Sequence, residues 1–187
     1  MAFFIIFSPF IICAGLLMVA GAATSLFAGA AAAIALVAYD FWLGRTIKLL
    51  AAGTAMTFSA LGCYLMAIDG EWSHISVRVA INISVLAIAL FSVAIKEPFT
   101  IQYAREQVEP AVTRDPGFIR VNYILTWTWI GAIVLMLMSN LLMLTIPAAP
   151  LWIGLAATFA LRNAAVTFTK LYTEYWIAKA GPEHTGA

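Results

Sequence analysis

Residues 1 to 40 read MAFFIIFSPF IICAGLLMVA GAATSLFAGA AAAIALVAYD, and Asp40 is the first charged side chain in the chain. An α-helix rises about 1.5 Å per residue and the hydrocarbon core of a bilayer is about 30 Å thick, so one crossing takes about 20 residues. Thirty-nine uncharged residues are too many for one crossing and enough for two. Gly21-Ala22-Ala23-Thr24-Ser25 interrupts the bulky run with glycine and small hydroxyl residues, which predicts a turn there and helices over 3–20 and 25–43. Val19-Ala20-Gly21-Ala22 has the small-residue character of a signal-peptide cleavage site, but Met-Ala-Phe-Phe-Ile-Ile lacks the basic segment that precedes such a core, so the stretch is read as retained.

The rest of the 187 residues repeats the theme. Hydrophobic residues make up 64%, charged residues 10%, and mean hydropathy is +0.97. A globular protein carries about 25% charged residues, and this chain has too few polar groups to cover a water-facing surface. Net charge is +1, which removes the electrostatic basis for nucleic-acid binding. After a polar connector at 40–48, apolar runs predict helices at 47–68, 77–95, 121–144 and 151–170, the last extending through helix-forming residues to 180, with a disordered tail at 181–187. Asp69-Gly70-Glu71 and Thr145 to Pro150 form the turns, His74 lies in a polar connector, and Arg114-Asp115-Pro116-Gly117 turns the chain into the fifth helix. The predicted fold is all-α: a polytopic membrane protein of six transmembrane helices arranged as three hairpins, with a cytoplasmic amphipathic loop helix.

Six crossings place both termini on one side. Arg45, Lys48, Lys96, Arg105, Arg114, Arg120, Lys170 and Lys179 fall on that side and only Arg78 on the other, so the positive-inside rule makes it cytoplasmic. A five-span reading breaks this alternation. Trp42, Trp72, Trp152, Tyr172, Tyr175 and Trp176 lie near predicted helix ends, where amphipathic rings prefer the headgroup region, while Trp127 and Trp129 lie deeper. Gly29 to Ala33 and Ala51-Ala52-Gly53 are small enough to let helix backbones approach closely.

Polar residues within the spans are the candidate sites. Arg162 lies 11 residues beyond Leu151, about 16 Å into the last helix and near the bilayer midplane, where an arginine costs at least about 2.5–3.5 kcal/mol. It supports two readings: an anion or headgroup site facing the bundle interior, with Thr57, Ser59 and Asn163 as candidate neighbours and Asn82 converging on it, or an arginine that snorkels toward the cytoplasmic headgroups. Asn82, Ser84, Ser139, Asn140 and Thr167 read as interhelical hydrogen bonds. Asp40, with Arg45 and Lys48 close by, reads as a headgroup-level ion pair. Lys96 to Pro110 is bracketed by prolines and reads as an interfacial amphipathic helix, with Ile101, Ala104, Val108 and Phe99 on one face and Gln102, Arg105, Glu106 and Glu109 on the other. It is either a connector on the headgroups or a docking surface, with Pro98, Phe99, Gln102, Tyr103, Arg105 and Glu106 as contact candidates.

Cys13 and Cys63 sit in apolar runs and read as small hydrophobes, and two histidines, His74 and His184, cannot supply paired haem ligands within the bilayer. The sequence has no nucleophile-elbow, zinc-helix or phosphate-loop motif, and no cofactor is expected.

The order of these features resembles the intracellular septation protein A family of bacterial inner-membrane proteins. The resemblance rests on a proline-containing first helix, on Tyr39-Asp40-Phe41-Trp42-Leu43-Gly44-Arg45 ending the second, and on Lys96-x-Pro98 after the fourth. It continues through Arg120-Val121-Asn122-Tyr123-Ile124-Leu125-Thr126-Trp127, Asn140, and a last helix ending in tyrosines and basic residues. The loop Pro98 to Glu106 (PFTIQYARE) is instead similar to a related branch of membrane proteins. The resemblance implies a non-enzymatic, multi-pass protein of the bacterial inner membrane, linked to septation and envelope maintenance through contacts with other membrane proteins; the residues themselves add membrane lipids, or a second copy of the chain, as expected partners. A small transporter or lipid-handling protein, and a membrane-embedded enzyme, are the competing expectations.

Overall fold

The computed structural model describes residues 2–68, 72–146 and 151–180. Among them the chain is all-helical: α1 (Ala2–Leu16), α2 (Ala22–Trp42), α3 (Leu49–Ala67), α4 (His74–Ala94), α5 (Phe99–Ala104), a 3-10 turn at Val112–Arg114, α6 (Pro116–Thr145) and α7 (Leu151–Ala180). Four of these, α2, α3, α4 and α6, are long and apolar enough to cross a membrane. The turns expected at 69–71 and 147–150, and the expected disordered tail at 181–187, lie outside the described residues. The chain divides into two compact units, Met1–Ile88 and Ala89–Ala187.

In the first unit α2 packs against α1 and α3. Its core joins Cys13 and Leu17 to Leu26, Ala30, Phe58, Leu65 and Val77, with Phe10, Trp72 and Ile81 packed around them. The small residues noted in the sequence make this possible. A Cβ on Gly29 would stand 2.7 Å from the Phe58 ring, and one on Gly62 would stand 3.0 Å from the Phe27 ring. Each helix therefore offers a glycine notch to a phenylalanine of the other. Phe10 completes the stack by meeting Phe58 edge-on, with centroids 5.5 Å apart, the geometry that ring quadrupoles favour. Gly53 plays the same part for Ile88 of α4.

The helix boundaries correct several expectations, and local hydrogen bonding explains each. The first turn falls at 17–21 rather than 21–25: Gly21 is extended and precedes α2, while Ser25 donates its hydroxyl back to the Gly21 carbonyl at 2.9 Å instead of breaking the helix. His74 is the first residue of α4, not part of a connector, because Ser73 accepts the Ser76 amide at 3.1 Å and caps the helix there. Helix α6 starts at Pro116, where a turn is read from the sequence. Asp115 accepts the Phe118 amide at 3.3 Å, and proline at the first helical position loses no hydrogen bond. Helix α7 runs unbroken for 30 residues, about 45 Å.

In the second unit α6 packs against α5 and α7. The antiparallel register of α6 and α7 is fixed at three levels: Met143 fills the space over Gly154, the Trp129 indole donates to Thr169 Oγ1 at 3.1 Å, and Trp176 lies against Gly117. Thr169 in turn donates to the Ala165 carbonyl at 2.8 Å, so the buried indole N–H is fully satisfied.

Candidate functional site

Arg162 projects from the middle of α7 and is half-buried. Side chains on a helix lean toward its N-terminus, and Arg162 does so: its guanidinium carbon lies 5.6 Å from the ring centroid of Phe159, one turn back. The snorkelling direction read from the sequence, toward the basic C-terminal end of α7, is therefore reversed. The guanidinium points to the Leu151 end, and among the described residues no carboxylate pairs with it. Asn163 is exposed, and its amide donates to the Phe159 carbonyl at 2.6 Å. Thr57 is committed to its own helix, donating to Gly53 and Thr54 carbonyls at 2.8 and 3.3 Å. Ser59 and Asn82, both half-buried, belong to the first unit, and Arg162 and Asn163 to the second.

Two of the polar residues expected to bond between helices bond within their own. Ser84 donates to Ala80 at 2.9 Å and Asn140 to Met136 at 2.9 Å, in each case the carbonyl one turn earlier. A short polar side chain reaches that carbonyl without leaving its helix, which is why spacing alone does not tell the two arrangements apart. Among the described residues, two buried oxygens have no partner: Thr54 Oγ1 on α3 and Asn140 Oδ1 on α6.

The loop from Lys96 to Pro110 departs furthest from expectation. Its helix, α5, has only six residues, and Phe99 and Ile101 are buried, so it does not present an apolar face for lying on headgroups. Tertiary bonds set its place. Lys96 takes a left-handed turn (φ 61°), the buried Ser92 hydroxyl accepts the Phe99 amide at 3.1 Å, and Pro98 is buried between them. The Thr100 hydroxyl then lies 2.8 Å from the Asn122 carbonyl and 2.7 Å from Thr126 Oγ1 on α6. Beyond Ala104 the chain is mainly exposed and the helix ends. On the outer side Arg105 grips the Glu97 carboxylate with two nitrogens at 2.8 and 3.3 Å, and Gln102 donates to the Glu97 carbonyl at 3.3 Å. Tyr103 is half-buried and Glu106 exposed. Thr100 and Thr126 were not singled out from sequence. The signal available was a threonine in the loop and another within the polar opening of α6.

Asp40 does pair, with Lys48, and the pair is buried within the protein. Its carboxylate meets Lys48 Nζ at 2.7 Å, and both side chains are buried, at 11% and 7% exposure, while Arg45 is exposed. Asp40 stands in the last turn of α2 and Lys48 immediately before α3, so each charge sits at the unfavourable end of its own helix and the favourable end of the other's.

Both cysteines are free, Cys13 buried and Cys63 exposed, the latter differing from the packing role read for it. Among the described residues no three His, Cys, Asp or Glu side chains could hold a metal ion. Comparison with protein-family models, with curated proteins and with solved structures found no match.

Proposed function

We propose that this chain is a six-span protein of the bacterial inner membrane, with both termini cytoplasmic, that works without enzymatic chemistry through contacts with membrane lipids and with other membrane proteins or itself. In this reading α1 and α7 join α2, α3, α4 and α6 as spans, forming three hairpins, and the biological setting is envelope maintenance or septation. The observation that carries the reading is the condition of α7. Trp152, Leu155, Phe159, Leu171 and Tyr175 are 47–66% exposed along it. Among them stands Arg162, a permanent cation without a carboxylate partner among the described residues. A helix left apolar on its outer side, with one costly charge at mid-length, is built to be completed by something else in the membrane.

The test is purification in mild detergent followed by mass spectrometry of co-purifying proteins and lipids, for the wild type and for Arg162→Gln. A partner recovered with the wild type and depleted with the variant supports the reading, and recovery of nothing stable refutes it. A reporter fused to the C-terminus that is active on the external side refutes the topology.

A further inference from the structure

The depth and direction of Arg162 narrow what completes α7. The guanidinium is level with Phe159, eight residues from Leu151, and so about 12 Å inside the helix end. Lipid phosphates lie outside a hydrocarbon core whose half-thickness is about 15 Å, so snorkelling toward the N-terminal end leaves most of that distance uncovered. The opposite leaflet is closed to it because the side chain leans away. A carboxylate on a neighbouring helix, at the same depth, needs no such reach. It also fits the planar guanidinium fork with two parallel hydrogen bonds, and pairing removes the charge of both partners from the lipid.

The surroundings suit a helix rather than a headgroup. Leu155, Phe159, Arg162 and Val166 recur at helical spacing along one side of α7, with Asn163 beside them. Leu155 is 47% and Phe159 62% exposed, and Asn163 is exposed as well. Apolar surface alone gives little drive for association in lipid, whereas interhelical polar contacts do. We infer that this side of α7 is a docking surface for a transmembrane helix of another membrane protein carrying an aspartate or glutamate near its centre, paired with Arg162.

The inference rests on α7 spanning the membrane, and the experiment separates the two. Trp152→Cys and Lys179→Cys, each in a Cys13→Ala, Cys63→Ala background, are labelled with an impermeant maleimide in sealed vesicles. Labelling from the same side overturns the span and the inference with it. The probe for docking is a synthetic leucine-alanine transmembrane peptide with one central aspartate, dansyl-labelled and excited by energy transfer from the tryptophans of the full-length protein in phosphatidylcholine vesicles. An otherwise identical peptide with leucine at that position is the control. The aspartate peptide is expected to associate about tenfold more tightly than the leucine peptide, Arg162→Gln to abolish that preference, and Arg162→Lys to keep part of it. Equal binding of the two peptides to the wild type, or a preference that survives in Arg162→Gln, overturns the inference while leaving the span intact. So does anionic lipid retained in an Arg162-dependent way with no peptide preference, which identifies a headgroup as the occupant.

Discussion

Removing one partner of the Asp40–Lys48 pair is expected to be the most damaging single polar change in the first unit. The nitrogen-oxygen distance is 2.7 Å and the side chains are 7% and 11% exposed, so neither charge falls back on bulk water when the other is removed. Coulomb attraction alone overstates the loss, because forming the pair already cost the desolvation of both ions. What matters is the stranded charge, and breaking such a pair costs about 3–5 kcal/mol. The helix ends add to this: without Asp40, Lys48 loses the carboxylate that offsets the positive N-terminus of α3, at about 0.3–1 kcal/mol. For a chain of this size about 1 kcal/mol moves the midpoint by about 2–4 °C, so Asp40→Asn is expected to lower it by about 6–20 °C. The assay is thermal unfolding of the detergent-solubilised protein, run beside Lys48→Met and the double variant Asp40→Leu, Lys48→Met. Either single change should be severe and the double change mild, since an apolar pair of similar volume strands no charge. A midpoint shift below about 2 °C for Asp40→Asn, or a double variant as unstable as the sum of the two singles, refutes the argument that burial sets the energetics of this pair.

Three further changes test the packing. Thr54→Val keeps the shape and removes a buried hydroxyl without a partner, so the thermal midpoint should rise or hold, with a gain of up to about 1–3 kcal/mol; a fall shows that the hydroxyl is bonded. Thr100→Val removes the side chain that ties α5 to α6 and leaves the fully buried Thr126 hydroxyl short of a partner, at about 1–2 kcal/mol. Limited proteolysis should then cut the exposed 105–111 segment several-fold faster, and an unchanged rate argues that α5 is held by its apolar contacts instead. Gly29→Ala places a Cβ where the Phe58 ring stands 2.7 Å away, and should cost about 1–3 kcal/mol in thermal unfolding by forcing α2 and α3 apart; a neutral result means that the ring simply rotates aside.

The sequence located the long helices well because their signal is simple. Apolar runs of about 20 residues have one common solution in lipid, since a backbone without water must satisfy its own hydrogen bonds. Boundary errors concentrated where a single side chain chose between two local partners, as at Ser25, Ser73 and Asp115. The loop was less legible. Phe99 and Ile101 do share an apolar character, but the pattern cannot show whether it meets lipid or protein. The anchors that decide it, Ser92 on α4 and Thr126 on α6, are seven residues before Phe99 and 26 residues beyond Thr100.

The same division holds for the candidate sites. Composition and spacing alone determined that the chain is all-helical with helices long and apolar enough to cross a membrane, and that Arg162 stands out, because charge in a long apolar run is visible without any coordinates. Only the tertiary structure decided which way Arg162 leans, that Asp40 and Lys48 are buried together, and that α5 is tied to α6. Those facts depend on distances between residues that the chain brings together by folding, and on which of two nearby partners a polar group reaches once water has been excluded.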